Sequence, residues 1–291
     1  MIAEKKEGIR MKKKLFIGLS ILGVAAIANF ATNNTTTAVL QSEKAANNVF
    51  TVGGVEIEQT EWQRVVDNNG NWVSTQVTDR YGFVPDKLEE FDQDKLMVPL
   101  VNEFAWDDRK TNNGQDHQQS WGQIGAPGSN QLGDQKDAID KFVFVQNTGE
   151  IDAYFRTIIA VEAPEESMVT HSSLNEKVDA IWLNINSNSR YKTTDELYTE
   201  IGGVRYYILT MTHTEALKPG EFARPSLLQA YLRKESTMET IKHFGDEIEI
   251  KVVSQAVQVS DAWEATAEKT AAEVALDTTF GEISKTNHPW K

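Results

Sequence analysis

The sequence predicts an all-β protein, an antiparallel β-sandwich with short helical insertions that follows an N-terminal signal helix. From Phe50 onward, short runs of β-branched and aromatic residues alternate with clusters of turn residues, which is typical of antiparallel strands. Hydrophobic residues make up 40% of the chain, enough for the core of one large domain. We therefore expect a single β-sandwich domain over residues 54–291, interrupted by a polar loop at 107–135.

The first 38 residues have the anatomy of a secretory signal. Three lysines at 12–14 precede an apolar run at 15–31, and a Thr/Asn-rich stretch follows. The apolar run is short for a membrane-spanning helix, which needs about 20 apolar residues, and a retained anchor is the alternative. Met11 already begins a complete basic region, so a start at Met11 rather than Met1 stays open.

Two positions fit cleavage by a signal peptidase, which needs small residues at the first and third positions before the cut. Thr36 and Ala38 favour a cut before Val39, and Ala28 marks the alternative site. A cut after Ala38 removes six basic and two acidic residues, so the net charge moves from −14 to −18. Residues 39–53 then form a flexible N-terminal segment in front of the domain.

Charge and cysteine content exclude several functions. The net charge of −14 argues against nucleic acid and anionic membranes as partners, because both require basic patches. The chain has no cysteine, so it cannot use a thiol nucleophile, a thiolate metal site or a cysteine redox motif. The acidic balance leaves cation binding open.

Local patterns predict the individual elements. Asn69-Gly70 lies between two Trp-containing runs, which predicts a tight hairpin at 62–77. Apolar runs predict strands at 97–104, 139–146, 153–161, 178–185, 204–211, 227–232 and 247–259. Helices are expected at 86–91, from Thr193 or Thr194, at 239–244, and at 262–275, where Asp261 and Glu264 have capping-box spacing.

The loop at 107–135 is unusually long and is rich in Asn, Gln, Gly and Asp. Loops of this length inside a compact domain are often functional, although surface irregularity explains the composition more simply. Together with tryptophans 62, 72, 106 and 121, it suggests an alternative function as a wall- or carbohydrate-binding module. Tryptophans at strand spacing, however, more often pack in a core than against sugars.

Three short motifs follow one another along the chain. They are Asn48-x-Phe50 with Gly53 or Gly54 and Val55-Glu56-Ile57, then Asn147-Thr148-Gly149 with Tyr154-Phe155-Arg156, and finally Lys218-Pro219-Gly220-Glu221. A Gln-Ala-x-Gln string at 255–258 comes later. Behind such a signal segment, this order resembles the TasA/camelysin family of secreted proteins of Gram-positive bacteria. Residues 58–135 match none of the motifs of that family.

The resemblance implies a fold, a processing route and a function. It implies a jelly-roll arrangement of the sandwich and cleavage by a SipW-type signal peptidase. It also implies a secreted structural protein of biofilm-matrix or cell-surface fibres, with a cell-surface anchor protein as a further partner. Camelysin-type members have been regarded as metalloproteases, so secreted peptidase activity is the least favoured implication.

The residues themselves give no support to hydrolysis. A zinc peptidase typically carries His-Glu-x-x-His on one helix, but the five histidines lie at least 30 residues apart, at 117, 171, 213, 243 and 288. No Gly-x-Ser-x-Gly elbow is present, although a Ser-His-Asp triad assembled in space stays open. On a strand, Arg156 favours a structural ion pair over catalysis. We assign no catalytic residue.

No metal ligand or cofactor is assigned either. Calcium stays open and unassigned, because aspartates are frequent but none has EF-hand spacing with its glycine and closing glutamate. These aspartates are Asp92, Asp94, Asp107, Asp108, Asp116 and Asp134.

The segment after the cleavage site offers a route to self-association. This segment could add as a strand to an open sheet edge of the next subunit. Its apolar residues are Val39, Leu40, Val49, Phe50 and Val52. A head-to-tail contact of this kind does not close, so it propagates into a filament. The alternative is that residues 49–57 are simply the first strand of their own domain, which we favour for 55–57 only.

Overall fold

A computed structural model describes residues 38–42, 49–52, 54–65, 88–92, 95–97, 139–165, 168–171, 180–186, 189–232, 236, 242–244 and 247–291. All of these residues belong to one compact unit. Residues 1–37 of the predicted signal segment, which include Thr36, lie outside the described residues. So do Gly53, the loop at 107–135 and most of the predicted hairpin at 62–77.

The described part of the chain contains fourteen strands and one α-helix of ten residues. The strands are β1 (Ala38–Ser42), β2 (Val49–Val52), β3 (Ile57–Arg64), β4 (Leu88–Glu90), β5 (Lys95–Met97), β6 (Ile139–Asp140), β7 (Phe142–Asn147), β8 (Ala153–Glu162), β9 (Val169–Thr170), β10 (Ile181–Ile185), β11 (Tyr191–Ile201), β12 (Val204–His213), β13 (Leu227–Leu232) and β14 (Glu247–Gln258). The helix, α1, spans Ala271–Phe280.

The largest sheet has seven strands in the order β11-β12-β8-β14-β1-β5, with β2 also paired to β14. Its long middle strands β12, β8 and β14 are antiparallel neighbours and almost entirely buried. Their sequences are dominated by β-branched and aromatic residues, which suit a strand covered on both faces. This block of three strands is the frame to which the N-terminal strands attach.

The remaining strands form two smaller sheets, β6-β13-β10-β9 and β4-β3-β7. They are joined along the chain, because β6 and β7 are one strand interrupted only at Lys141. They are also joined by backbone hydrogen bonds from Lys141 N to Leu228 O at 2.9 Å and from Ser226 N to Val143 O at 2.9 Å. The two small sheets therefore act as one continuous layer.

One hydrophobic core connects this layer to the seven-stranded sheet. Alternate residues of β8 and β14 point into the core, as the two-residue period of a strand requires. They pack with the inward residues of β7, β10, β12 and β13, and representative members are Phe155, Ile159, Val145, Leu183, Leu209, Leu227 and Ile250. The opposite face of the seven-stranded sheet is covered by α1 and the residues that follow it.

The prediction of a mostly β chain with antiparallel sheets is confirmed at that level. Exceptions are the parallel pairings of β1 and β2 with β14, and of β9 with β10. The strand predicted at 227–232 has the observed bounds, and those predicted at 153–161 and 247–259 differ from the observed strands by one residue.

Two of the predicted helices are wrong because tertiary pairing overrides local propensity. The helix expected from Thr193 or Thr194 is part of β11, where Thr193 lies opposite Met211 of β12. Both threonines are β-branched and therefore suit the pleated surface of a strand. Within the helix expected at 86–91, Leu88–Glu90 form the short strand β4, and Leu88 lies opposite Arg64 of β3.

The C-terminal helix was predicted too early in the chain. Thr266 accepts hydrogen bonds from the backbone N–H of Glu268 and of Lys269, and this local turn competes with a helix. A true capping box follows, in which Thr270 accepts from Glu273 N and the Glu273 carboxylate accepts from Thr270 N. The helix therefore begins at Ala271.

Candidate functional site

The predicted assembly segment pairs with β14 in this structure. Strand β1 runs parallel to β14 from Val39 opposite Glu247 to Ser42 opposite Ile250. Strand β2 continues along the same strand, again parallel, from Val49 opposite Ser254 to Val52 opposite Val257. Residues 39–53, expected to be a flexible segment, thus include two short strands paired to one edge of β14.

The other edge of β14 is paired inside the domain over most of its length. It pairs with β8 without interruption from Ile250 to Gln258. Between the two added strands, Val252 O accepts a hydrogen bond from Gln59 Nε2 of β3 at 3.2 Å. Without β1 and β2, the backbone groups of β14 that pair with them, at 247–250 and 254–257, would lose these partners. Such an edge readily accepts an added strand.

The added strands are held to different extents. Strand β1 is enclosed, because it also pairs with β5 through Ala38 opposite Met97. In β2, Val49 is half-buried against the core and Thr51 is exposed. The backbone of Leu40 and Phe50 lies opposite Ile248 and Gln255, so all five predicted assembly residues belong to these two strands.

The chain changes sheet directly after β2, at Gly54. This glycine has φ +57°, a conformation that side-chain-bearing residues rarely adopt. From there Val55 is buried, and Ile57 begins β3 in the other layer. Gly54 therefore lies at the junction between the N-terminal strands and β3.

The turn at 147–149 fixes the backbone just before β3. Glu56 O accepts hydrogen bonds from Thr148 N and from Gly149 N, both at 3.0 Å. A Cβ atom at Gly149 would lie 2.9 Å from Glu56 N, so only glycine allows this approach. The first and second sequence motifs are thus in direct contact.

Asn147 connects these motifs to the third one. Its buried side chain donates from Nδ2 to Ile151 O and to Leu217 O, both at 2.8 Å. Its carbonyl accepts from Gly220 N at 2.8 Å, and Gly220, next to Pro219, has φ +78°. Three motifs that are far apart in sequence therefore form one corner of the domain, around the entry to β3.

Arg156 lies on the outer face of the seven-stranded sheet and is buried. It donates to Gln255 Oε1 at 2.8 Å, to Asp277 Oδ1 at 2.7 Å and to Gly281 O at 2.8 Å. It thereby joins β8, β14 and the C-terminal end of α1. Sequence reasoning did not find Asp277 or Gly281, because no local pattern connects residues more than 120 positions from Arg156.

The described histidines have structural partners. His171 Nδ1 lies 2.8 Å from Tyr207 Oη, and its Nε2 lies 3.3 Å from a carboxylate oxygen of Glu196. His213 stacks on the Phe155 ring with centroids 5.0 Å apart, and its Nδ1–H donates to the Glu215 carbonyl oxygen at 2.8 Å. Burial lowers the pKa of both histidines below the usual value of 6.5. These contacts fix the position of both imidazole rings.

Within the described ranges, no three side chains of His, Asp or Glu lie together as a metal site would require. No helix in the same ranges has the length and hydropathy needed to cross a membrane. Trp62, considered for sugar stacking, is half-buried against a small cluster with Phe142, Phe144 and Leu228. The tryptophans at 72, 106 and 121 lie outside the described residues.

Comparison with known proteins adds no relative: no protein-family model, no curated protein and no solved structure matches this chain.

Proposed function

We propose that the protein is a secreted structural subunit of the TasA/camelysin type, which builds matrix or cell-surface fibres by exchange of its N-terminal strands. In this proposal the domain is a jelly-roll-like β-sandwich, and residues 39–52 leave their own β14 to pair with β14 of the next subunit. The observation that carries the proposal is the parallel pairing of both β1 and β2 along one edge of β14.

The pairing has the properties that exchange needs. The contacts between the two short strands and β14 are of the same kind whether the strands come from the same chain or from a neighbour, so exchange costs little free energy at equilibrium. Gly54 supplies a point of rotation, and the corner around Asn147 keeps β3 fixed while the strands leave. A head-to-tail contact of this kind propagates without closing.

The partners follow from the same proposal. A SipW-type signal peptidase would release the segment by cutting before Val39, and a cell-surface anchor protein would accept the first subunit. Nucleic acid is not among the proposed partners, because the chain carries a net charge of −14. Neither catalysis nor a cofactor is part of the proposed function.

Truncation tests the proposal directly. The chain beginning at Val39 and the chain beginning at Gly53 are purified as monomers and imaged by negative-stain electron microscopy over hours. We expect filaments from the first and monomers from the second, because only the first carries the exchanging strands. Filaments from both would place the joint elsewhere, and monomers from both would favour the surface-binding module.

A further inference from the structure

A lysine with no exposed surface lies next to a glutamate on the strand that follows Gly54. Lys141 interrupts β6 and β7, its side chain is 0% exposed, and its Nζ contacts Oε2 of Glu61 on β3. Glu61 lies opposite Val143 in the antiparallel ladder of β3 and β7, so Lys141 is its diagonal neighbour on the same face. The contact therefore follows from strand register.

An aromatic ring completes the environment of this pair. Lys141 Nζ lies 4.2 Å from the centroid of the Phe91 ring, and Phe91 is itself buried in the main core. The backbone N–H of Phe91 donates to Glu61 O at 3.0 Å, which fixes the ring relative to the carboxylate. Burial lowers the pKa of Lys141, although the charge of Glu61 opposes this effect. The site thus favours the neutral, nucleophilic amine more than a surface lysine does.

We propose that Lys141 and Glu61 condense into an intramolecular amide bond that joins β3 covalently to the strand formed by β6 and β7. The Nζ lone pair of the neutral amine attacks Cδ of the protonated carboxyl group. The new N–C bond forms as the bond from Cδ to the hydroxyl oxygen breaks. A proton passes from nitrogen to that oxygen, which leaves as water, so the step needs no oxidant, reductant or co-reactant.

Two physical effects favour this step. The charged pair of ammonium and carboxylate becomes the reactive pair of neutral amine and neutral acid when one proton moves from Lys141 to Glu61. Because a buried ion pair contributes little net stability, the charged form does not strongly oppose this transfer. Fixed neighbours also react as if each were present at very high concentration, about 10⁵ M or more in well-oriented intramolecular reactions. Glu61 is 16% exposed, which provides an exit for the water.

The bond has a mechanical consequence. Strand β3 is the first element after Gly54. A force applied along the chain through residues 39–52 is therefore transmitted to β3 before any other strand. An amide between β3 and the strand formed by β6 and β7 would prevent β3 from separating under that load. The consequence rests on the proposed fibre function, whereas the bond itself is a property of the monomer and is tested on the monomer.

Intact mass spectrometry of the chain beginning at Val39, after denaturation, tests the proposal. We expect a mass lower than the sequence mass by one water molecule, and a digest that contains one branched peptide with Lys141 and Glu61. The Lys141→Met variant should have its full sequence mass. Lys192→Met is the matched control, because Lys192 also pairs with a carboxylate, Glu273 at 2.9 Å, but is 38% exposed. This variant should keep the water loss.

A wild-type mass equal to the sequence mass would overturn the proposal, and so would a water loss that persists in Lys141→Met. If Lys141→Met fails to fold, the peptide map of the wild-type chain decides alone, since separate peptides for Lys141 and Glu61 would also overturn it. None of these results depends on whether filaments form.

Discussion

Gly149 shows how one residue can fix the start of the domain. A Cβ atom there would lie 2.9 Å from Glu56 N, so the backbone in front of β3 would have to move. We expect Gly149→Ala to lower the free energy of unfolding in urea by about 3 kcal/mol, as overpacking against backbone does. Gly202→Ala is the control, because Gly202 has φ +61° but open space around it. Its cost should be about 1 kcal/mol. Equal losses in the two variants would refute the role of the contact.

The two buried histidines make stability depend on pH. Burial lowers the pKa of His213 in the folded chain below 6.5, while the unfolded chain still titrates near that value. Unfolding therefore takes up a proton at mildly acidic pH, and the free energy of unfolding falls as the pH falls below about 6.5. His171 contributes with the same sign.

The measurement compares free energies of unfolding at about pH 7.5 and about pH 5.5, where each unit of pKa difference is worth about 1.4 kcal/mol. The wild-type chain should lose stability at the lower pH, and His213→Gln should lose less. His243→Gln is the control, since His243 is 40% exposed and pairs with Glu165 at the surface. An unchanged pH dependence in His213→Gln would contradict the account.

The position of α1 depends on one buried side chain of the sheet beneath it, Arg156. Replacing Arg156 by Met removes its ion pair with Asp277 and its hydrogen bond to Gly281 O. We expect a loss of about 2–3 kcal/mol, below the full cost of breaking a buried pair because Asp277 is 20% exposed. Hydrogen exchange should show that the amides of α1 lose protection first.

Lys269→Met provides the comparison for this prediction. Lys269 also pairs with Asp277, at 2.8 Å, but its side chain is 35% exposed. Exposed pairs contribute about 0–1 kcal/mol, so this variant should keep the protection of α1. If both variants expose α1 equally, Arg156 does not hold the helix to the sheet.

The bounds of an element were predictable where the sequence of that element alone defines them. Strand β13 has the predicted bounds because its apolar run ends at clear breaks. Strand β11 was not predictable in this way, because Thr193 and Thr194 suit both a helix start and a strand. The neighbouring β12 decides between them. The start of α1 was missed because both Asp261 and Thr270 are followed by a glutamate three residues later, as a capping box requires. Only the turn at Thr266, which lies between them, shows that the helix begins after Thr270.

The candidate site arises from long-range strand pairings that no local sequence pattern encodes. Apolar residues near the N-terminus predicted a strand that could be exchanged, but not the edge that accepts it. Residues 39–52 pair with β14 about 200 positions later, and in parallel, a geometry without a local sequence signature. The corner around Asn147 likewise collects motifs that sequence reasoning could only place in order.

The proposed pairing of residues 39–52 with β14 of a neighbouring subunit can be tested with a cysteine pair. Thr51 and Ala256 lie opposite each other on β2 and β14, and the chain has no other cysteine. Neighbouring strands suit the spacing of a disulfide. The double variant Thr51→Cys with Ala256→Cys is used, and each single variant is a control.

We predict that the double variant oxidised as a monomer forms an internal disulfide and yields no filaments. The reduced form should assemble, and oxidation afterwards should give a ladder of covalently linked multimers in denaturing gels. Filaments from the locked monomer, or only internal disulfides within filaments, would contradict the exchange of these strands.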